Sequence, residues 1–508
     1  MKQTATKIFN TVFSRFNITI LLVLLQAGYF ALLVFRLSGY ADWIRIAMTV
    51  LAIATCIFIM WRDYNPAFKI SWMFIIGLLP SLGVLCYILF GDKRPSRRMR
   101  KMLAPQDREH EGDLEQLDSL SCLEGRRALG TCRYLKDASM YPAWENTDAK
   151  YYPLGEDMFA DLTADLKAAK KFIFLEYFII GEGYMWDTIE EILKEKAKEG
   201  VDVRVVYDDI GSMKVLPKNF NKRLEDSMIR VITFNAVLPI MSFAYNNRDH
   251  RKIAVIDGNV GYTGGVNLSD EYINRVERFG HWKDAAVRIE GNAVWNFTVM
   301  FLNIWNAFRK TDADYDRFRP DIEEQGKPGV VQPYCDSPLD EEHVGKFVYL
   351  DVINQAKKYV YIFTPYLLID SEMQTALELA AKRGADVRIV TPHIPDKPLV
   401  FAITRSYYEP LVRAGVKIME YTPGFVHSKV FVADGKVATV GTVNVDFRSF
   451  FFHFEDGTLL IDTPCIDDIK KDFDETFGKC TSVTQSFISE RLIGRIIGMF
   501  LRVLSPLM

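Results

Sequence analysis

Paired cysteines are missing from this 508-residue chain: its seven cysteines lie scattered at positions 56, 86, 122, 132, 335, 465 and 480, with no C-x-x-C couple. That spacing argues against a disulfide framework and against a zinc ribbon. An excess of one charge is missing too. Lys and Arg number 62 against 65 Asp and Glu, a net charge of −3, so nothing marks the chain as a nucleic-acid binder. Composition also excludes disorder over the whole length, with 49% hydrophobic and 13% aromatic residues.

Polar punctuation is scarce over the first 91 residues. Segments 18–35 and 70–90 carry no charge at all, and 43–61 is interrupted by Arg45 alone. A membrane-crossing helix needs about 20 apolar residues. Residues 1–91 are therefore expected to form an anchor of two to three transmembrane helices. Lys93, Arg94, Arg97, Arg98, Arg100 and Lys101 follow directly. Such a cluster beside a membrane helix favours the cytoplasmic side and attracts anionic lipid headgroups. Residues 92–150 read as a basic juxtamembrane linker. At the far end, residues 486–508 form an amphipathic tail whose Arg491, Arg495 and Arg502 would turn toward lipid phosphates at the interface.

The polar middle of the chain repeats itself. Ala168-Ala169-Lys170-Lys171-Phe172-Ile173-Phe174-Leu175 returns in kind as Ala356-Lys357-Lys358-Tyr359-Val360-Tyr361-Ile362-Phe363, and Val201-Asp202-Val203-Arg204 returns as Ala385-Asp386-Val387-Arg388. Each copy runs from the end of a helix into a buried strand, and helical spacing (Trp186, Ile189, Leu193) fills the gap between strands. Alternating strands and helices imply α/β layers. Two similar lobes are expected, 151–325 and 326–485.

Each lobe holds the same signature. The first reads His250-x-Lys252-x₄-Asp257, then Gly264, Gly265 and Asn267; the second reads His427-x-Lys429-x₄-Asp434, then Gly441, Thr442 and Asn444 at the same spacing. On a strand, side chains two apart face the same way, so His and Lys project together from a rigid element. Two such lobes facing one another would bring two imidazoles, two ammonium groups and two amides to one pocket. That set suits a phosphate diester: the lysines, Asn267, Asn444 and the Thr442 hydroxyl bind its oxygens, one imidazole attacks phosphorus, and the other protonates the leaving oxygen. No metal and no cofactor is required. Asp257 and Asp434 complete the catalytic motifs at the far strand end, each before a glycine, where Asp makes turns. They read more as supports than as reacting groups.

These paired motifs resemble those of the phospholipase D superfamily, and more narrowly its bacterial cardiolipin synthases. Trp72, Pro80, Gly83, Tyr87, Phe90 and Gly91 resemble that family's membrane-anchor segment, and Asn444-Val-Asp446-Phe-Arg448-Ser449 with Glu455 resembles the tail of its second motif. The resemblance implies two phospholipase D-like lobes, each a mixed β-sheet flanked by helices and related by a pseudo-twofold duplication. It implies an enzyme of the bacterial cell membrane that joins two phosphatidylglycerol molecules into cardiolipin and releases glycerol, through a phosphohistidine intermediate. An acid after each motif would hold that motif's His in its working tautomer: Asp284 for His250, 34 residues on, and Glu455 for His427, 28 residues on. The same machinery could instead hydrolyse the lipid or transfer it to another alcohol.

Overall fold

Runs of β-branched and aromatic residues bounded by glycine become the strands of two sheets, and the amphipathic stretches between them become the covering helices. The computed structural model describes residues 42–91, 95–109, 111–114, 127–236, 246–324, 326–484 and 500–507, with positions 24, 25, 28, 29, 32, 123 and 498. Most of the apolar run at 18–35 and most of the terminal tail lie outside the described residues.

The first sheet has seven strands in the order Thr147–Tyr152, Ala286–Gly291, Val260–Gly264, Lys252–Ile256, Phe172–Tyr177, Asp202–Asp208, Arg230–Phe234. The second repeats that order as Val330–Asp336, Glu455–Ile461, Val437–Gly441, Val430–Ala433, Tyr359–Phe363, Asp386–Pro392, Lys417–Tyr421, and adds Cys480–Ser482 at its edge. In both, the motif strand pairs antiparallel with the strand of the repeated Lys-Lys segment. That strand in turn pairs parallel with its neighbour after a helical crossover, Tyr184–Lys198 or Ser371–Lys382. The duplication expected from sequence is therefore carried strand by strand.

One apolar core fills the space between the lobes. Val255, Val287 and Ile289 of the first sheet meet Val430, Val432 and Val440 of the second there, with helices Val294–Arg309 and Cys465–Phe477 packed alongside. Separate cores lie under the outer helices of each lobe. The stretch expected to be a linker is drawn into these cores. Met99, Leu103 and Trp144 join the shared core, Cys132 and Leu135 that of the second lobe. The first sheet begins at Thr147, ahead of the expected lobe boundary.

Residues 70–90, expected as one continuous span, fold otherwise. Helix Pro66–Leu78 ends at Leu79, and helix Pro80–Phe90 turns back against it. Trp72 and Tyr87 meet edge to face at 5.4 Å, and a side chain at Gly83 would lie 2.7 Å from the Ile76 Cα. Proline restarts the helix at a position where no amide donor is needed, and glycine lets the two backbones touch. Among the described residues no helix is long and apolar enough to cross a membrane.

This hairpin is fastened to the second lobe. The Phe68 ring stands 5.6, 5.3 and 5.7 Å from those of Phe447, Phe451 and Phe452. Asn65 donates to Asp370 at 2.9 Å, and Ser71 donates to the Val503 carbonyl at 2.5 Å. In the described part of the tail, Arg502 turns onto the protein rather than outward to phosphates: it lies 3.9 Å over the Tyr407 ring and donates to Gln374 at 2.8 Å. Phe68→Ala should remove the aromatic wedge and cost about 3–5 kcal/mol, read as a lower melting temperature of the full chain in detergent; an unchanged melt would show that the hairpin is not packed there.

Candidate active site

The approach to each motif strand is fixed by a backbone hydrogen bond from the opposite lobe. The His250 N–H donates to the Phe454 carbonyl at 2.9 Å, and the His427 N–H donates to the Lys283 carbonyl at 2.7 Å. The residue after each of those carbonyls is the acid. Glu455 accordingly accepts from His250 Nδ1 at 2.8 Å, and Asp284 from His427 Nδ1 at 2.7 Å. The pairing is crossed. The sequence-based expectation, which matched Asp284 with His250 and Glu455 with His427, is overturned, because tertiary pairing and not spacing along the chain decides which acid lies next to which ring.

With Nδ1–H bound to a carboxylate, each imidazole carries its lone pair on Nε2, the form that can attack phosphorus or accept a proton. Strand alternation separates neighbours as expected. Arg251 turns away to Glu176 at 2.7 Å, while the Lys252 Nζ curls back to the His250 carbonyl at 2.6 Å and Lys429 likewise binds the His427 carbonyl.

All six groups are buried, and burial governs their charge. It holds His250 well below the usual imidazole range, with Lys252 adding to the effect and Glu455 opposing it. Burial and then Lys429 push His427 down to about 4. The ammonium groups follow: Lys252 falls to about 8 and Lys429 to about 7, both chiefly through burial. Burial alone would raise Glu455 and Asp284, but His250 and His427 respectively hold them below the usual carboxylate range. Lys252 lowers the pKa of both His427 and Lys429 across the lobe boundary, so the two motifs share one electrostatic site.

The family is decided by comparison with known proteins. A family model described as "Cardiolipin synthase, PLD-like domain" matches residues 162–301 and 349–477. The chain is 32% identical over 507 residues to the cardiolipin synthase of Halalkalibacterium halodurans, covering 97% of this chain and 100% of that one. It belongs to the cardiolipin synthase family of phospholipase D-like proteins. It is also 44% identical over 448 residues to an uncharacterized protein of Streptococcus mutans, covering 86% of this chain and 96% of the relative. Its fold is similar to the crystal structure of a phosphatidylserine synthase from Haemophilus influenzae, with a TM-score of 0.56 at 14% identity over 75% of this chain and 100% of that one.

Several residues singled out in this cardiolipin synthase family chain serve other ends than expected. Asp257 accepts from the N–H groups of Lys170, Lys171 and Phe172 at 2.8, 2.7 and 2.9 Å, and Asp434 from those of Lys357, Lys358 and Tyr359 at 2.8, 2.7 and 2.9 Å. Each pins the start of the neighbouring strand, at the end of the motif strand remote from its His. These contacts fit the supporting role that their position before glycine suggested.

Thr442, expected on phosphate, donates instead to Glu455 Oε2 at 2.5 Å. In the first lobe a side chain at the matching Gly265 would collide with Asp284 Oδ1 at 1.9 Å, so the shorter acid takes that space itself. The Asn267 amide is spent within its own lobe, accepting from the Ile179 N–H at 2.9 Å and donating to the Tyr272 hydroxyl at 2.8 Å. Asn444 Oδ1 is buried and has no hydrogen-bond partner among the described residues.

Residues that motif reading passed over complete the site. Tyr272 and Trp282 stand 5.4 Å from the His427 ring, and Phe178 stands 5.0 Å from that of His250. Asp456 ties the lobes by accepting from the Lys252 N–H at 3.3 Å and from the Thr263 hydroxyl, and burial pushes its carboxyl up to about 7. Its position directly after Glu455 was the available signal. Asp257→Ala should strand three amide donors and cost about 2 kcal/mol or more, measured as a lower melting temperature, while kcat per folded molecule stays within about twofold. A hundredfold loss of kcat at an unchanged melting temperature would return Asp257 to the chemistry.

Proposed function

We propose that the chain is a cardiolipin synthase that transfers a phosphatidyl group from one phosphatidylglycerol to another. The observation that carries this reading is the crossed pair: two imidazoles, each oriented by a carboxylate of the other lobe, beside two buried lysines that can meet a diester's non-bridging oxygens. A phosphodiester brings one negative charge into that set.

In the first half-reaction His250 Nε2 attacks phosphorus. The P–N bond forms, the bond from phosphorus to the glycerol oxygen breaks, and His427, which takes a proton from solvent on Nε2 as the anionic diester binds, passes it to that oxygen. Free glycerol leaves. A second phosphatidylglycerol then presents a terminal hydroxyl, His427 Nε2 takes its proton, the new O–P bond forms and the P–N bond breaks. Cardiolipin is released and His250 is restored. Each proton transfer is worth about 10²–10⁴ in rate. Asp284 and Glu455 hold the two rings and offset the positive charge that each acquires in turn. Lys252, Lys429 and Asn444 bind phosphate, and rings around His427 help keep water from the intermediate.

The substrate's location supports the same reading. On helix Asp42–Trp61, Trp43, Ile46, Val50, Ile53, Ile57 and Trp61 form one exposed apolar stripe, while Ala52 and Ile59 pack on the hairpin. Such a stripe fits hydrocarbon better than water. These helices would sit in the bacterial cell membrane, with the lobes on its cytoplasmic side next to Arg97, Arg98 and Lys101, where phosphatidylglycerol, cardiolipin and other anionic lipids gather.

Incubating the purified chain with phosphatidylglycerol vesicles should yield cardiolipin and an equal amount of glycerol, and His250→Ala and His427→Ala should each abolish turnover. Phosphatidic acid as the main product would make it a hydrolase instead. The lysines set a pH limit of known sign. Their pKa values are lowered, so the charge that binds the diester is lost as pH rises through about 7 and about 8. The alkaline limb of kcat/KM should fall in that window, and Lys429→Arg should move it upward because guanidinium keeps its proton. A profile flat to pH 9 would contradict this account of the lysines.

A further inference from the structure

The two acids are held unequally. In the first lobe Asp284 Oδ2 accepts from His427 Nδ1 at 2.7 Å and from the Trp282 indole N–H at 3.4 Å, and Oδ1 accepts from the Ala285 amide at 2.8 Å. In the second lobe Glu455 Oε2 accepts from His250 at 2.8 Å and from Thr442 at 2.5 Å. Oε1 has no hydrogen-bond partner among the described residues. The group facing it is His453, whose Nδ1 lies 3.4 Å away.

The positions correspond. Trp282 and His453 each lie two residues before the acid, and the residue between them, Lys283 or Phe454, gives its carbonyl to the opposite catalytic histidine. An imidazole thus stands where the other lobe has an indole. His453 is buried, neither ring nitrogen has a hydrogen-bond partner among the described residues, and its ring lies 5.5 Å from that of His250. A buried carboxylate oxygen and a buried imidazole left unmatched each carry a cost. Turned toward one another, they relieve both.

We propose that His453 is a positioning residue that holds the free oxygen of Glu455 and, by drawing on its charge, sets how firmly that carboxylate grips His250. Asp284, fixed by an amide and an indole, keeps its charge for His427. The duplication is broken at this point: the carboxylate of His250 faces a second imidazole, which makes His250 the weaker proton holder and suits it to be the nucleophile, whereas the carboxylate of His427 meets an indole and an amide in place of a second imidazole, which suits His427 to be the acid. The direction agrees with the field of His453, which further lowers the His250 pKa. The charged or titratable groups facing His453 are Glu455, His250 and Asp446.

This inference rests on the two-histidine transfer proposed above, and the test separates the two. Wild-type chain that makes no cardiolipin from phosphatidylglycerol would sink that reading itself. With an active wild type, His453→Ala should lower kcat about tenfold, the loss of one hydrogen bond to a charged group, with KM for phosphatidylglycerol within about twofold. His453→Asn, which restores an N–H near Oε1 but carries no charge, should recover most of kcat while its acid limb of kcat against pH moves upward, because the field of His453 lowers the His250 pKa. Wild-type kcat and an unchanged pH profile in His453→Ala would overturn the proposal. So would equal losses in both variants, with lowered melting temperatures and wild-type pH profiles, which mark a packing role alone.

Discussion

Two backbone hydrogen bonds cross the lobe boundary, from the His250 N–H to the Phe454 carbonyl and from the His427 N–H to the Lys283 carbonyl, and the arrangement of the site follows from them. Each fixes the approach of a motif strand beside the acid-bearing segment of the other lobe. Neither lobe holds a complete set: the first supplies a histidine whose carboxylate it lacks, and so does the second. Duplication of a half-site gave a whole one because the copies interlock through the acids. The shared apolar core behind the sheets keeps those segments in register, since moving either sheet would separate both rings from their carboxylates.

Burial sets the chemistry within that frame. Both imidazoles are pressed toward the neutral form and both lysines toward losing their charge, while the two carboxylates stay ionised. A site so poised gains most from a ligand that brings one negative charge, because that charge favours the protonated forms that burial disfavours in His427 and both lysines. On the proposed function, the arriving phosphodiester readies the acid that will release its own headgroup. On the same proposal, the apolar helices and the hairpin wedged by Phe68 onto the second lobe would set that site beside a lipid surface, where diesters with glycerol headgroups are concentrated.

Much of this was legible in the sequence. The repeated Lys-Lys segments foretold equivalent strands, and the alternation in His-x-Lys foretold which side chains share a face, since both depend on local periodicity. Asp257 and Asp434 declared themselves as turn residues by the glycine that follows. The crossed acids were not legible, because 34 and 28 residues of chain say nothing about which lobe a segment pairs with. Thr442 looked like a phosphate donor because the acid that takes its hydroxyl comes 13 residues later. The 70–90 run reads as one span because hydropathy measures length and not direction, although Pro80 and Gly83, which turn the chain back, stand within it. His453 needed the two lobes superposed before its place opposite Trp282 had meaning.

The central claim is that the two motifs make one site with one nucleophile. Quenching turnover with acid, digesting the chain and locating the phosphatidyl group by mass spectrometry tests it most directly. The account predicts modification of His250 alone, at no more than one per chain, lost in Glu455→Gln although that acid lies in the other lobe. Modification of His250 and His427 within one chain, or of His250 undiminished in Glu455→Gln, would contradict it.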